Sequence, residues 1–377
     1  GTGSDYATIK YNSDGVEQWV QRYHGPGDGR DEARSIAVDG SGNVYVTGFS
    51  IGSGTGSDYA TIKYNSDGVG QWLQRYNGTG NSDDAALSIA VDGSGNVYVT
   101  GDSWGSGGTG SDYATIKYNT SGFQQWVQRY NGPPGTGLDF AFSIAVDASG
   151  NVYVTGNSSG SGTGPDYATI KYNSAGVGQW VSRYNGPGNS FDYAYSIAVD
   201  GSGNVYVTGR SSGSGTGSDY ATIRYSPSGV EQWVQRYTEN DYDWASSIAV
   251  DGSGNVYVTG RSSGSGTSED YATIKYSQLT GITPISNQIP EASRLYQNYP
   301  NPFNPTTTIS FSLPFRSFVS LKVFNALGEE VSVLLSEVLP AGTYSQQWNP
   351  EGLLTGVYFY RLQGDNFVDT KKLLLLR

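Results

Sequence analysis

The sequence predicts an all-β chain: a β-propeller of four-stranded blades followed by a small Ig-like β-sandwich. Three observations carry this. The stretch Val38-Asp39-Gly40-Ser41-Gly42-Asn43-Val44-Tyr45-Val46-Thr47-Gly48 returns nearly unchanged at 91–101, 146–156, 199–209 and 250–260. A second motif, Asp-Tyr-Ala-Thr-Ile-Lys/Arg-Tyr, starts at Asp5, Asp58, Asp112, Asp166, Asp219 and Asp270, spaced by 53, 54, 54, 53 and 51 residues. Beyond residue 276 both motifs stop, and six short alternating runs follow. A fixed period near fifty residues with several strand signals in each unit marks a ring of blades. Solenoid repeats are shorter and give one or two strands each.

Taken in order, one period reads as four strands. The first is Ser35–Asp39, ended by the Gly/Ser/Asn turn at 40–43. The alternating run Val44–Thr47 is the second, followed by a Gly/Ser loop from Gly48 to Ser57. The third is Asp58–Tyr64, ended by the turn Asn65-Ser66-Asp67-Gly68, and the fourth is Val69–Tyr76. β-branched and aromatic alternation gives the strands, and Gly, Asn and Asp give the tight turns. Ala33, Ser35 and Ala37 are small, which suits an innermost strand where blades converge. Trp19, Trp72, Trp126, Trp180 and Trp233 lie on the fourth strand, where blades splay apart and the gap needs filling.

About five blades are visible. The chain opens on a third strand (5–11) and closes on another (270–276). Either strand 16–23 completes the blade at 247–276 and closes a five-bladed ring, or the blades are consecutive members of a larger ring. No methionine occurs, even at position 1, which falls inside a repeat. A longer chain with an upstream signal peptide is therefore expected.

Composition removes several function classes. There is no cysteine, so thiolate metal sites and thiol nucleophiles are excluded. One histidine, His24, excludes a multi-histidine centre, and no apolar run approaches a membrane span. The net charge of −12 lies wholly in residues 1–294, with 16 basic against 28 acidic residues, whereas 295–377 hold six of each. An acidic repeat region argues against nucleic acid and anionic membrane as partners.

The run Ser-Ile-Ala-Val-Asp-Gly-Ser-Gly-Asn-Val-Tyr-Val-Thr-Gly, followed by Asp-Tyr-Ala-Thr-Ile-Lys-Tyr, resembles the SBBP-type β-propeller repeat of bacterial surface proteins. In layout it is also similar to NHL-type blades. The resemblance covers residues 1–276 and implies an extracellular scaffold or adhesion role with no assigned catalytic residues.

If strand one is innermost, the segments before it and after strand two share one face of the disc. Differences between repeats concentrate there: Phe49, Asp102, Trp104, Asn157, Arg210 and Arg261 after strand two, and Glu32, Phe140, Phe142, Tyr193, Tyr195, Tyr242 and Trp244 before strand one. Loops bearing rings and charges over a rigid scaffold are the usual place for binding. Trp104, Phe140, Tyr193, Tyr242, Trp244, Arg210 and Arg261 are therefore the candidate ligand contacts. One acid is kept in each of these loops: Asp31, Asp84, Asp139, Asp192 and Asp243. In a closed ring they would circle one channel mouth and offer oxygen ligands to Ca²⁺. The competing expectation is that each accepts a backbone N–H of its own turn. No other cofactor is expected.

Other signals are bland. The Asp-Gly-Ser-Gly-Asn turns lack the alternating acids and distal Glu of a calcium loop. The run at 12–19 is similar to the Asp-box turn of sialidase-type propellers, but with a different spacing. His24 stands where three other repeats carry Asn, and reads as solvent-facing. Arg30, Arg34, Arg210 and Arg261 suit a carboxylate clamp, yet no nucleophile–base pair accompanies them. An enzyme is not expected.

Residues 277–294 read as a linker, and 295–377 as a second domain with strands at Thr307–Leu313, Val319–Asn325, Glu330–Leu335, Gly342–Trp348, Gly356–Leu362 and Thr370–Leu376. This domain resembles the type A C-terminal sorting domain of the type IX (Por) secretion system. The resemblance rests on Tyr299-Pro300-Asn301-Pro302-Phe303-Asn304-Pro305, Val323-Phe324-Asn325-Ala326-Leu327-Gly328, Leu339-Pro340-Ala341-Gly342-Thr343-Tyr344, Gly356-Val357-Tyr358 and the Lys371-Lys372-Leu373 end. It implies Gly356, Val357, Tyr358, Lys371 and Lys372 as parts of the sorting signal. It also implies export across the outer membrane of a Gram-negative bacterium, with the type IX machinery and its sortase-like processing enzyme as partners. The expected function is a surface or secreted binding scaffold for a carbohydrate-like ligand. The alternatives are a glycan-active or sialidase-like hydrolase and a purely structural spacer.

Overall fold

A computed structural model describes residues 3–376 except 109, 134–136, 161, 240–241, 265–268, 277–281, 287–288, 351 and 365–366. The described residues are strands, turns and bends with no helix, so none is long and apolar enough to cross a membrane. The chain divides into two compact units, Gly1–Ser277 and Gln278–Arg377.

In the first unit the blades run consecutively. Strand one is Asp31–Val38, Asp84–Val91, Asp139–Val146, Asp192–Val199 and Asp243–Val250; strand two is Val44–Ile51, Val97–Trp104, Val152–Gly160, Val205–Ser212 and Val256–Ser262. Strand three is Ser57–Tyr64, Ser111–Tyr118, Gly164–Tyr172, Ser218–Tyr225 and Asp270–Tyr276; strand four is Gly70–Tyr76, Gln124–Tyr130, Gly178–Tyr184 and Glu231–Tyr237. Each blade is an antiparallel meander in the order one to four. Strand one of each blade lies against strand one of the next, which makes it the inner strand as expected.

The five-bladed closure is not what the structure shows. Glu17–Tyr23 pairs with Tyr6–Tyr11 as a separate two-stranded sheet, and the blade ending at Tyr276 keeps three strands. The order is thus the outer half of one blade, four complete blades, and three strands of another. The two ends reveal what a junction buries. Ile89, Ile144 and Ile197 are 7% exposed, whereas Ile36, at the same register with no inner strands before it, is 58% exposed. Tyr59, Tyr113, Tyr167 and Tyr220 are fully buried, whereas Tyr271 is 87% exposed.

Each junction repeats one chemistry. The strand-three tyrosine donates its hydroxyl to an alanine carbonyl of the next blade: Tyr59 to Ala114 at 3.2 Å, Tyr113 to Ala168 at 3.2 Å and Tyr167 to Ala221 at 3.2 Å. The strand-four tryptophan fills the outer gap, with Trp19 Nε1 donating to Ser66 O at 3.1 Å. The turn glycine beneath it is obligatory: Gly68 has φ +82°, and a Cβ there would meet Trp19 Cδ2 at 2.6 Å. Arg129 ties strands together by donating to Ser103 Oγ (2.6 Å), Ser103 O (2.7 Å) and Asp112 Oδ2 (2.8 Å), and reaches back to the preceding blade's Tyr76 hydroxyl.

The Asp-Gly-Ser-Gly-Asn segments are hairpin turns. Asp92 Oδ1 accepts the Ser94 and Asn96 N–H groups at 2.9 Å, and Oδ2 accepts from Asn96 Nδ2 at 2.8 Å and the Tyr98 hydroxyl at 2.9 Å.

The second unit is a sandwich of two four-stranded sheets. One runs Ile282–Ser286, Gly342–Trp348, Thr307–Leu313, Arg294–Leu295; the other runs Glu330–Leu339, Ser317–Phe324, Gly356–Gly364, Phe367–Leu375. Alternation places Ile309, Phe311, Val319, Leu321, Val323, Tyr360, Leu362 and Leu373 in one dry core. Part of the stretch read as a linker is instead an edge strand: Ile282–Ser286 pairs with Gly342–Trp348. Its Ile-Thr-Pro-Ile run is short, and its proline fits a sheet edge. Residues 277–281 and 287–288 of that stretch lie outside the described residues.

Candidate functional site

Apart from Tyr242, the variable residues expected in loops sit on strands. Strand one starts at Asp31 rather than Ser35, and strand two runs to Ile51 rather than Thr47. Two local features hid this. Strand one carries a bulge at its fourth residue, so Ala33 and Ser35 pair with Gly48 and Thr47 while Arg34 has no partner. The same bulge recurs at Leu87, Phe142, Tyr195 and Ser246. Opposite it, a strand glycine permits close backbone approach: a Cβ at Gly156 would lie 1.9 Å from Phe140 O, and one at Gly209 the same distance from Tyr193 O. A glycine that reads as a loop signal is here part of the ladder.

Strand alternation sets the second and fourth residues of strand one on the same side, and the bulge then shifts the phase, so that Ile144 rather than Ser143 follows Ala141 to the packed side. Phe140 and Phe142 stack at 6.5 Å and 16°, and Tyr193 and Tyr195 at 6.3 Å and 7°. Phe142 meets Tyr195 across the blade junction at 5.5 Å. Cross-strand pairing sets Tyr193 beside Arg210 and Trp244 beside Arg261. The Arg210 guanidinium lies 4.3 Å from the Tyr193 ring centre and 4.3 Å from that of Trp244, and Arg261 lies 3.6 Å from Trp244. A continuous row results: Phe140, Phe142, Tyr195, Tyr193, Arg210, Trp244, Arg261. Its rings are half-buried.

Polar atoms along this face lack partners. Arg210 Nε, Trp244 Nε1 and Asn157 Oδ1 are buried without a hydrogen bond. Burial pushes the Tyr195 hydroxyl up, with Arg210 and Arg261 pulling it back. On the blade at 84–130, Asp102 occupies the position of Arg210, and burial raises its carboxyl to about 6 against a hydrogen bond from Ser111. On the first complete blade Arg30 and Arg34 lie over Phe49 at 5.8 and 5.5 Å, and both are ion-paired with Glu32.

Of the candidate ligand contacts, Phe140, Tyr193, Arg210, Trp244 and Arg261 are therefore brought together. Trp104 (41% exposed) and Tyr242 (64% exposed) stand apart from the row's ring contacts. Phe142 and Tyr195, two positions after Phe140 and Tyr193, join the row by strand alternation.

The five acids Asp31, Asp84, Asp139, Asp192 and Asp243 each open strand one and are fully buried. Each carboxylate serves its own blade. Asp139 accepts the Gly132 N–H at 2.8 Å and the Ser159 N–H at 3.0 Å, and Asp192 accepts those of Gly186 at 2.8 Å and Ser212 at 3.0 Å. Burial pushes Asp84 and Asp192 upward. Among the described residues, one set of His, Asp or Glu ligand atoms gathers within 4.8 Å: Asp5, His24 and Asp31. His24, exposed on one side, bonds Asp5 Oδ1 through Nδ1 at 3.0 Å, and Asp31 Oδ2 accepts the Gly25 N–H at 2.6 Å.

In the second unit, Gly356, Val357 and Tyr358 lie on the strand paired with the one carrying Lys371 and Lys372, whose partners are Tyr360 and Phe359. Tyr358 points into the core, and its hydroxyl donates to Leu354 O at 2.9 Å. Val357 and Phe359 face outward.

The SBBP family, described as a β-propeller repeat, matches at 18–54, 71–108, 125–162, 179–215 and 232–266. The secretion system C-terminal sorting domain matches 297–376. This is an SBBP-repeat protein exported by type IX secretion. Each SBBP match runs from strand four of one blade through strand two of the next. The family unit is thus offset from the blade and spans a junction. The sorting domain sends the protein to the cell surface or the medium and makes the type IX machinery its partner. No curated protein matches. Among solved structures, the chain is similar to a protein of unknown function from Dyadobacter fermentans (10% identity, 83% of this chain and 94% of that one, TM-score 0.41). It is also similar to a eukaryotic initiation factor (8%, 99% and 97%, TM-score 0.37) and to an apocarotenoid oxygenase of Synechocystis (8%, 85% and 64%, TM-score 0.34). None of these likenesses assigns an activity.

Proposed function

We propose that the SBBP propeller is a surface binding or adhesion module that holds a carbohydrate against the row from Phe140 to Arg261. The observation that supports this is the row itself: five half-buried rings and two guanidiniums on adjacent inner strands, at the positions where the repeats differ. Flat rings stack on sugar faces at low entropic cost, and guanidiniums donate to ring and exocyclic oxygens. We read the domain as non-catalytic. The families matched are a repeat and a sorting tail, and among the described residues the two cations of the row come with no facing carboxylate pair of the kind glycoside hydrolysis uses.

The test is a glycan-array screen of the whole chain, with and without Ca²⁺. Saturable binding that is lost in Tyr193→Ala and Trp244→Ala is the expected result. Absence of binding by a folded sample in both conditions points instead to a structural spacer.

A further inference from the structure

We infer that the ligand of this row is an acidic glycan, one whose carboxylate or sulfate is received by Arg210. The inference rests on the carbohydrate-binding reading and narrows it. Its warrant is a contrast among arginines within one molecule. Arg75, Arg129, Arg183 and Arg236, at one register of strand four, are each satisfied by an aspartate at 2.6–3.1 Å, a serine hydroxyl and a tyrosine hydroxyl. Arg30 and Arg34 share Glu32. Arg210 is different: two rings lie 4.3 Å from its guanidinium, and among the described residues its buried Nε has no acceptor. Arg224 also has an orphaned Nε, but it lies over a single ring, Tyr206, at 5.8 Å and has no second cation beside it.

A second cation reinforces the first. Arg261 lies on the same indole as Arg210, and its counter-ion is the exposed Glu269 at 3.3 Å. Two guanidiniums on one half-buried ring repel each other in a medium that screens poorly. An anion seated between them removes that repulsion and gives the outer Nη donors of Arg210, which have no ion pair among the described residues, an acceptor. A guanidinium seated on rings keeps its remaining donors in plane, which is the geometry that carboxylate and sulfate match. The surroundings make this local, since residues 1–294 hold 28 acidic and 16 basic residues. A neutral glycan would use the rings and leave Arg210 without a counter-ion and Arg261 with the exposed Glu269 alone.

The experiment is an array of matched glycans, in which uronic-acid oligosaccharides are paired with their methyl esters and sulfated ones with their unsulfated forms. The full chain and its Arg210→Gln variant are both applied. Expected are binding of the acidic members at least about tenfold tighter than their neutral mates, loss of that preference in R210Q, and weakening with added salt. Equal binding of both members of each pair, with R210Q unchanged, overturns the inference and leaves carbohydrate binding standing. No binding by any glycan overturns both. The comparison of paired glycans on the unaltered protein needs no variant, so poor folding of R210Q does not remove the test.

Discussion

Asp102 allows a prediction in which the sign can be worked out. Its carboxylate is half-buried opposite Ala85, accepts one long hydrogen bond from Ser111 Oγ at 3.3 Å, and feels Asp84 and Asp83 nearby. Burial is the largest cause of its rise from 3.8 to about 6. Between those values the folded protein keeps a proton that the unfolded chain has released. The stability this group contributes is therefore full below 3.8 and lost as pH rises through 6. At 1.36 kcal/mol per pKa unit the loss is at most about 3 kcal/mol, and about 2 kcal/mol once solvent reaching the half-buried carboxylate is allowed for. Asp102→Asn keeps the shape and removes the titration. Chemical denaturation followed by tryptophan fluorescence, at pH 4 and pH 7.5, should give similar stabilities for both proteins at the lower pH. At the higher pH the variant should be more stable by about 2 kcal/mol. The pH-dependent difference isolates this residue from the hairpin-turn aspartates, whose sign is opposite. A variant offset that is the same at both pH values refutes the reasoning.

Asp147→Ala removes an acceptor used by the Ser149 and Asn151 N–H groups, the Asn151 amide and the Tyr153 hydroxyl, all at 2.8–2.9 Å. Burial raises the Asp147 carboxyl, but these bonds outweigh it and hold it below the usual value. The wild-type contribution is thus present above the ordinary carboxylate value and fades as pH falls; the variant should lose about 2–3 kcal/mol at pH 7 by denaturant titration, and less in acid. Gly156→Ala drives a Cβ to within 1.9 Å of Phe140 O, and should cost about 2–3 kcal/mol and weaken glycan binding by parting Phe140 from Phe142. Removing residues 295–377 should leave the propeller inside the outer membrane, as read by cell fractionation, because the sorting domain that directs type IX export is gone.

The blade is legible from sequence because its buried side is nearly invariant. Alternation, the Asp-Gly-Ser-Gly-Asn turn and the strand-four tryptophan each have a local cause that repeats five times. Part of the site was legible too, since differences between repeats fall at Phe140, Tyr193, Arg210, Trp244 and Arg261, which the fold brings together. Its strand setting was not legible. Gly48 and its equivalents read as strand ends, and the residue they make room for is a bulge with no sequence signature of its own. The short edge strand at Ile282–Ser286 was hidden for a different reason: it is created by pairing with Gly342–Trp348, sixty residues on, rather than by its own pattern.

Alternation along strand one separates a constant side from a variable one. In strand one, Asp139, Ala141 and Ile144 face the packed side and recur as Asp192, Ala194 and Ile197, all buried. The buried isoleucines show the constraint: with the neighbouring inner strands absent, Ile36 loses the cover that Ile89 has, a difference worth about 2 kcal/mol for one side chain. Phe140 and Phe142, on the other side by alternation, lie outside that buried set and become Tyr193 and Tyr195, then Trp244 and Ser246. Three consecutive blades keep rings there, and the last two add a guanidinium opposite. Two of these contacts, Phe142 with Tyr195 and Arg210 with Trp244, also join neighbouring blades, and the rest of the row is what the proposed ligand would use.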